Sequence, residues 1–194
     1  MYGEQFNIAH LEPASHIYGP GRRFVIWLQG CTLACSGCWN TQMWSSRPNQ
    51  LIERELLLAQ IFACEGLTGI TLLGGEPLQQ SENCLWLLER VREGGLDTVV
   101  YSGYELSEIN ADLIRSKILH HCDILIVGRY DQRLRNLKLQ WRGSENQQLL
   151  FLSDKYDARL LADANEVELI IDEQGAATLL GYPQSPDLIH TLIE

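Results

Sequence analysis

A chain of 194 residues with 45% apolar side chains is long enough for one packed core, and its net charge of −10 argues against a general nucleic-acid surface, which needs a basic face. It contains no run of 18 or more apolar residues to cross a bilayer, and its first ten residues lack the basic-then-apolar pattern of a secretory signal, so a soluble single domain over 1–194 is expected. Of six cysteines, three crowd one short stretch while Cys64, Cys84 and Cys122 are scattered. That distribution suits a reducing cytoplasm better than a secreted disulfide framework.

In chain order, residues 1–22 read as irregular and end in the turn-forming Tyr18-Gly19-Pro20-Gly21. A first strand is predicted at 23–29 from Phe24-Val25-Ile26-Trp27-Leu28, and it feeds the loop that holds Cys31, Cys35 and Cys38. Residues 41–50 read as loop. Leu51, Ile52, Leu58, Ile61 and Phe62 then approximate a helical face to residue 64, ended by Gly66 and Gly69. A second strand, Ile70-Thr71-Leu72-Leu73, runs straight into Gly74-Gly75-Glu76-Pro77. Ser81 offers an N-cap to a helix carrying Leu85, Leu88 and Val91 and closed by Gly94-Gly95. A third strand, Thr98–Tyr101, leads into Ser102-Gly103-Tyr104, followed by a helix at about 106–118 and a fourth strand, Ile124–Val127. Residues 129–147 read as polar and irregular, with strand-like runs at 148–152 and 167–171 and a short closing helix at 186–193.

Alternating strands and helices with continuous apolar strands predict a parallel sheet covered by helices. The cysteines, Gly74–Glu76, Ser102–Tyr104 and Gly128–Tyr130 each fall just past a strand's C-terminal end, the edge where parallel α/β folds gather their sites.

The C-x3-C-x2-C spacing carries the chemistry. A structural zinc site takes four protein ligands, usually in two pairs, and no second pair exists here; zinc would need a distant fourth ligand such as His16 or Cys64. Ordinary buried thiols are a further alternative. Four-iron clusters are held by cysteine thiolates, and three of them leave one iron with open positions. Gly74 and Gly75 let backbone approach a ligand closely. His10, His16, His120, His121 and His190 show no ligand spacing and read as structural or surface residues.

C-x3-C-x2-C followed by Gly-Gly-Glu-Pro resembles the radical S-adenosylmethionine (SAM) superfamily. Gly19-Pro20-Gly21-x-Arg23, Cys38-Trp39-Asn40, Gly128-Arg129-Tyr130 and Trp141-Arg142-Gly143-Ser144-x-Asn146-Gln147 narrow the likeness to the activating proteins of anaerobic ribonucleoside-triphosphate reductases. The match runs from about residue 7 to about 152, leaving an acidic extension over about 153–194. The resemblance implies an open, partial parallel β/α barrel and a [4Fe–4S] cluster on Cys31, Cys35 and Cys38. It implies SAM bordered by Gly37, Cys38, Trp39, Gly74, Gly75, Glu76 and Ser102. The implied partners are a large glycyl-radical reductase and a low-potential electron donor such as flavodoxin, with no nucleic-acid polymer and no membrane. Tyr18 departs from the pattern, since such proteins commonly carry Asp before Gly-Pro-Gly.

Charge is unevenly placed. Between Arg129 and Arg142 there are five basic residues and one acid, Asp131, whereas Asp154 to the end holds nine acids against Lys155 and Arg159. Two solvated surfaces of opposite sign account for this, as does a basic patch that receives a carboxylate or an acidic partner loop. Arg129 and Arg142 are therefore candidates for a carboxylate clamp or for partner docking. Rival readings are a small radical SAM enzyme acting on a peptide or metabolite, motivated by Tyr18 and the extension, and a non-enzymatic zinc or electron-transfer module.

Overall fold

A computed structural model describes residues 3–162 and 166–181. Seven strands form one sheet in the order β3-β1-β2-β4-β5-β6-β7. They are β1 (Gln5–Ser15), β2 (Arg23–Leu28), β3 (Gln50–Glu53), β4 (Gly69–Gly74), β5 (Asp97–Ser102), β6 (Ile124–Val127) and β7 (Gln148–Phe151). The middle four, β2, β4, β5 and β6, are parallel neighbours, while β1, β3 and β7 pair antiparallel to their neighbours at the margins. The sheet is thus mixed, not wholly parallel as the alternation predicted. A separate hairpin joins β8 (Val167–Ile171) to β9 (Ala177–Gly181).

Parallel strands buried on both faces explain their unbroken apolar runs. Phe24, Ile26, Leu28, Ile70, Leu72, Val100, Leu125 and Val127 face the helices α1 (Arg54–Ala63), α2 (Ser81–Glu93), α3 (Leu106–Asn110) and α4 (Leu113–Ile118). On the opposite face, among the described residues, Val25, Trp27 and Leu73 meet Leu180 of the hairpin, and Val99, Ile124 and Ile126 meet Trp141.

Several boundaries differ from expectation. Residues 5–15 are a strand, hidden in the sequence because register breaks between Ile8 and His10 and between Glu12 and Ser15 interrupt its alternation. Leu51 and Ile52 belong to β3, paired with Asn7 and Phe6, so the first helix begins only at Arg54 and buries Leu57 and Ile61. Ser81 is the first residue of α2, not its cap. The single helix predicted over 106–118 is two: Glu105 and Glu108 form a capping box on α3, and Asp112 accepts from the Ile114 and Arg115 N–H groups (both 2.9 Å) to start α4. The helix predicted at 186–193 lies outside the described residues. Among those residues, no helix is long and apolar enough to cross a membrane.

Candidate active site

Leaving β2, the chain turns at Gly30 and is pinned by backbone bonds from Gly30 N–H to Met43 O (2.8 Å) and Cys31 N–H to Trp44 O (3.0 Å). It passes left-handed through Ala34 at φ 49°, a conformation uncommon outside glycine. The Asn40 N–H donates to the Cys38 sulfur (3.4 Å), while the backbone of Leu33 and Ala34 favours the Cys31 thiolate and that of Tyr130 the Cys35 thiolate. Burial outweighs that backbone help and pushes the Cys31 and Cys35 thiols up.

All three cysteines line one cleft. Trp39 and Asn40 continue its rim, Gly74, Gly75 and Glu76 come from the end of β4, and Ser102 and Gly103 from the end of β5. Gly128 and Tyr130 extend from β6, with Gly143 and Gln147 beside them. Leu73, Tyr101 and Ile126, on the sheet face turned away from α1–α4, form its floor. Four strand ends therefore meet at one edge, as the sequence predicts.

The glycines owe their identity to backbone crowding. A Cβ on Gly74 would lie 2.6 Å from Leu28 N, and one on Gly75 would collide with Gly30 O. Their neighbours lock the β4 turn to the cysteine loop: Gly75 N–H donates to Leu28 O (2.8 Å) and Glu76 N–H to Gly30 O (2.9 Å). Asn40 Nδ2 adds a bond to Gly74 O (3.3 Å).

Glu76 is 1% exposed and clasps two strand ends together. Its Oε1 accepts from Leu78 N–H and Ser102 Oγ (both 2.9 Å), and its Oε2 from Gly103 N–H (2.7 Å). Burial pushes its carboxyl up to about 7 against the opposing pull of those donors. Ser102 is therefore held by Glu76 as well as facing the cleft.

Three expected residues lie elsewhere. Gly37 is off the cleft wall, and a Cβ there would come 2.5 Å from Gln132 Oε1. Arg129 is held by Glu108 through bonds of 2.5 and 2.9 Å, which push the Glu108 carboxyl down to about 2. It lines a neighbouring groove, and Arg142 lines neither. Sequence reasoning gave Asn146 and Gln147 no role. Gln147 accepts from the Gly143 and Ser144 N–H groups (2.8 and 3.2 Å) and donates to Gly128 O (3.0 Å), while Asn146 donates to Arg129 O (2.8 Å). These side chains staple the 129–147 loop to the end of β6. Their place in the Trp-Arg-Gly-Ser-x-Asn-Gln motif was the available signal.

Three thiols on one loop, the Cys38 sulfur bonded by a backbone N–H, suit a four-iron cluster, which is held by cysteine thiolates and whose potential is tuned by hydrogen bonds to sulfur. Neither His16 nor Cys64 lines the cleft, and the Cys64 sulfur is bonded instead to Gln60 O (3.4 Å).

Comparison with known proteins gives the family. Residues 17–150 match the family described as 4Fe-4S single cluster domain. The anaerobic ribonucleoside-triphosphate reductase-activating protein of Pasteurella multocida is 35% identical over 150 residues, covering 73% of this chain and 94% of that one. Its namesake in Enterobacteria phage T4 is 32% identical over 151 residues (74% and 92%), and that of Escherichia coli K12 is 33% identical over 143 residues (70% and 92%). Among solved structures, QueE from Escherichia coli aligns with 52% of this chain and 53% of its own at a TM-score of 0.42 and 18% identity, a likeness too slight to argue from.

Proposed function

Because the chain belongs to the family of anaerobic ribonucleoside-triphosphate reductase-activating proteins, we propose that it is a radical SAM activase, one that cleaves SAM reductively with a [4Fe–4S] cluster and generates a glycyl radical on an anaerobic ribonucleoside-triphosphate reductase. The observation that carries this reading is the meeting of Cys31, Cys35 and Cys38 with the ends of β4, β5 and β6 in one cleft. When bound, the cluster and SAM supply what no side chain can, an electron delivered to a sulfonium carbon–sulfur bond and a carbon radical able to take a glycine α-hydrogen.

The chain's own part is to hold and enclose. Cys31, Cys35 and Cys38 would hold such a cluster, three thiolates leaving one iron open to SAM. Cys38, Gly74 and Gly75 present backbone to that ligand, Trp39 offers an aromatic face on the adenine side, and Gly37 lets the loop turn there. Glu76 acts through Ser102 and Gly103, fixing the β5 turn against the β4 turn. The cleft is about 130 Å³, below the roughly 300–1,000 Å³ of ligand pockets, so a nucleoside-sized ligand extends into its open mouth. Arg129 and Arg142, being off the wall, serve the surroundings of the cleft rather than a clamp within it.

Four adjacent parallel strands with the site at their C-terminal ends support an open, partial barrel. We read 1–194 as one domain, its core over about 7–152, working in a reducing cytoplasm beside a low-potential donor such as flavodoxin. Anaerobic reconstitution should give about four irons per chain and SAM-dependent release of 5′-deoxyadenosine. Mixing with the reductase should then yield a glycine-centred signal in electron paramagnetic resonance. Stoichiometric zinc in the anaerobically purified chain, or SAM cleavage with no glycine-centred signal, would overturn this function.

A further inference from the structure

Outside the cleft, on the far side of the cysteine loop, lies a groove lined by Ser36, Arg129, Gln132, Arg133 and Asn146, with Tyr130 and Asp131. Tyr130 lines both hollows and stands between them. Ser36 lines the groove and its loop neighbours Ala34 and Gly37 are exposed, so only small side chains cover the cysteine loop here.

The surface around this groove has the make-up of a protein interface. Leu134 and, on the rim of the main cleft, Trp39 are large apolar side chains left 39% and 38% exposed; Arg133 and Arg135 flank Leu134 in sequence as exposed cations, and Lys138 is a further exposed cation of the same loop. Exposed aromatics and arginines are the residues that anchor protein partners. Arg135 stacks over Trp39 with its guanidinium 4.7 Å from the ring centroid, joining the basic loop to the cysteine loop. Five of the chain's 15 basic residues and one of its 25 acids fall within residues 129–142. Arg133 is bonded to Asp131 at 2.6 Å, but its side chain is 88% exposed, and such a pair costs little to open.

We propose that this groove is where electrons enter: it docks an acidic face of a small one-electron carrier protein against Ser36 and Gly37. The inference rests on the activase reading above and locates its reductant. In each encounter the carrier loses one electron and the oxidised cluster gains it; no bond forms or breaks and no proton need move. The reductase's glycine is the poorer occupant. Its α-carbon must reach the interior of the main cleft, whereas an electron needs only close approach to the outer side of the cluster loop. Gln132 packed against Gly37, together with Tyr130, walls the groove off from that interior.

The test uses the reconstituted full chain and follows loss of cluster absorbance in stopped flow, with reduced flavodoxin as the acidic donor and photoreduced deazaflavin as a small-molecule donor. Arg133→Glu and, separately, Lys138→Glu should each slow reduction by flavodoxin about tenfold at low salt and flatten its salt dependence, since charges at an interface rim act on encounter rates. Arg133→Lys should retain the rate, and reduction by deazaflavin should keep its rate in every variant. Unchanged flavodoxin rates, or equal slowing with both donors, would overturn the docking site. Release of 5′-deoxyadenosine with deazaflavin as donor reads the parent function separately: its absence in the unaltered chain fails the activase reading, whereas its presence beside charge-insensitive flavodoxin rates fails the docking site alone.

Discussion

Burial of Glu76 sets up a pH dependence that is measurable in the cluster-free chain. Its carboxyl is raised from an ordinary 4.5 to about 7, desolvation being the main cause, so the folded chain keeps a proton there that the unfolded chain releases. The associated stability is full below about pH 4.5 and is lost as pH rises through 7, on the order of 3 kcal/mol in all. The depressed carboxyls of Glu55, Glu108, Asp112, Asp131 and Asp157 act in the opposite sense and below that window. Urea unfolding under reductant at pH 5 and pH 8 should therefore show Glu76→Gln flattening the decline seen in the unaltered chain; an identical decline in both would refute the buried carboxyl as its source. A second residue-scale expectation concerns Arg23, fully buried and bonded to Asp97 Oδ1 (2.6 Å), Thr71 Oγ1 (2.7 Å) and Pro20 O (2.9 Å). Tyr156 bonds the other Asp97 oxygen. Removing one partner of a buried pair strands the other charge, so Asp97→Ala should lower unfolding stability by about 3–5 kcal/mol. A loss below about 1 kcal/mol, in the range of an exposed pair, would show that Arg23 is satisfied without it. Gly-Pro-Gly-x-Arg was visible as a motif in the sequence, but not its purpose: Gly19 and Gly21 make room for the turn over Arg23 and Thr68, at the end of β2 remote from the cysteines.

The parallel strands and the loops that follow them were legible because continuous apolar runs and the glycines at their ends are local signals. The margins of the sheet were not. β1 hides behind its bulges, and its Asn7, polar as alternation asks, is buried, its side chain bonding Arg47 O (3.1 Å) and Asn49 N–H (2.8 Å). β3 could not be separated from α1 by periodicity, since Leu51 and Ile52 continue the apolar pattern across the boundary. Among loops, the cysteine segment was read correctly as a unit, whereas its contact with the 129–147 loop depends on tertiary packing alone. That contact makes a prediction. Gly37 holds φ at +73° with Gln132 against it, so Gly37→Ala suffers both a left-handed strain and a clash. Iron retention after desalting should fall in Gly37→Ala and recover in part when Gln132→Ala is added, because the second change removes the clash and leaves only the strain, about 1 kcal/mol. No recovery in the double variant would mean that the two loops do not brace one another.

At the scale of the molecule, Tyr18 and the acidic extension, two departures from the family pattern that had favoured a different substrate, are parts of one arrangement. The Tyr18 hydroxyl accepts from Gly181 N–H (2.8 Å), and its ring meets Trp27 edge-on with centroids 5.1 Å apart. Leu180 and Ile170 of the hairpin complete that cluster with Val25 and Leu73. No local pattern announces such a pairing across 163 positions. It matters to the site because Leu73 has two sides of contact, the hairpin cluster and the cleft floor. The extension thus backs the cleft from beneath. Tyr18→Phe deletes only the hydroxyl acceptor, worth about 1 kcal/mol, so amide exchange should quicken about fivefold over 177–181 while β2, β4, β5 and β6 keep their protection. Leu180→Ala removes the apolar anchor as well and should open both hairpin strands, weakening SAM binding to the reconstituted chain through loss of support under Leu73. Tight SAM binding in Leu180→Ala, measured on a chain whose hairpin exchanges freely, would separate the extension from the site and leave it as an independent appendage.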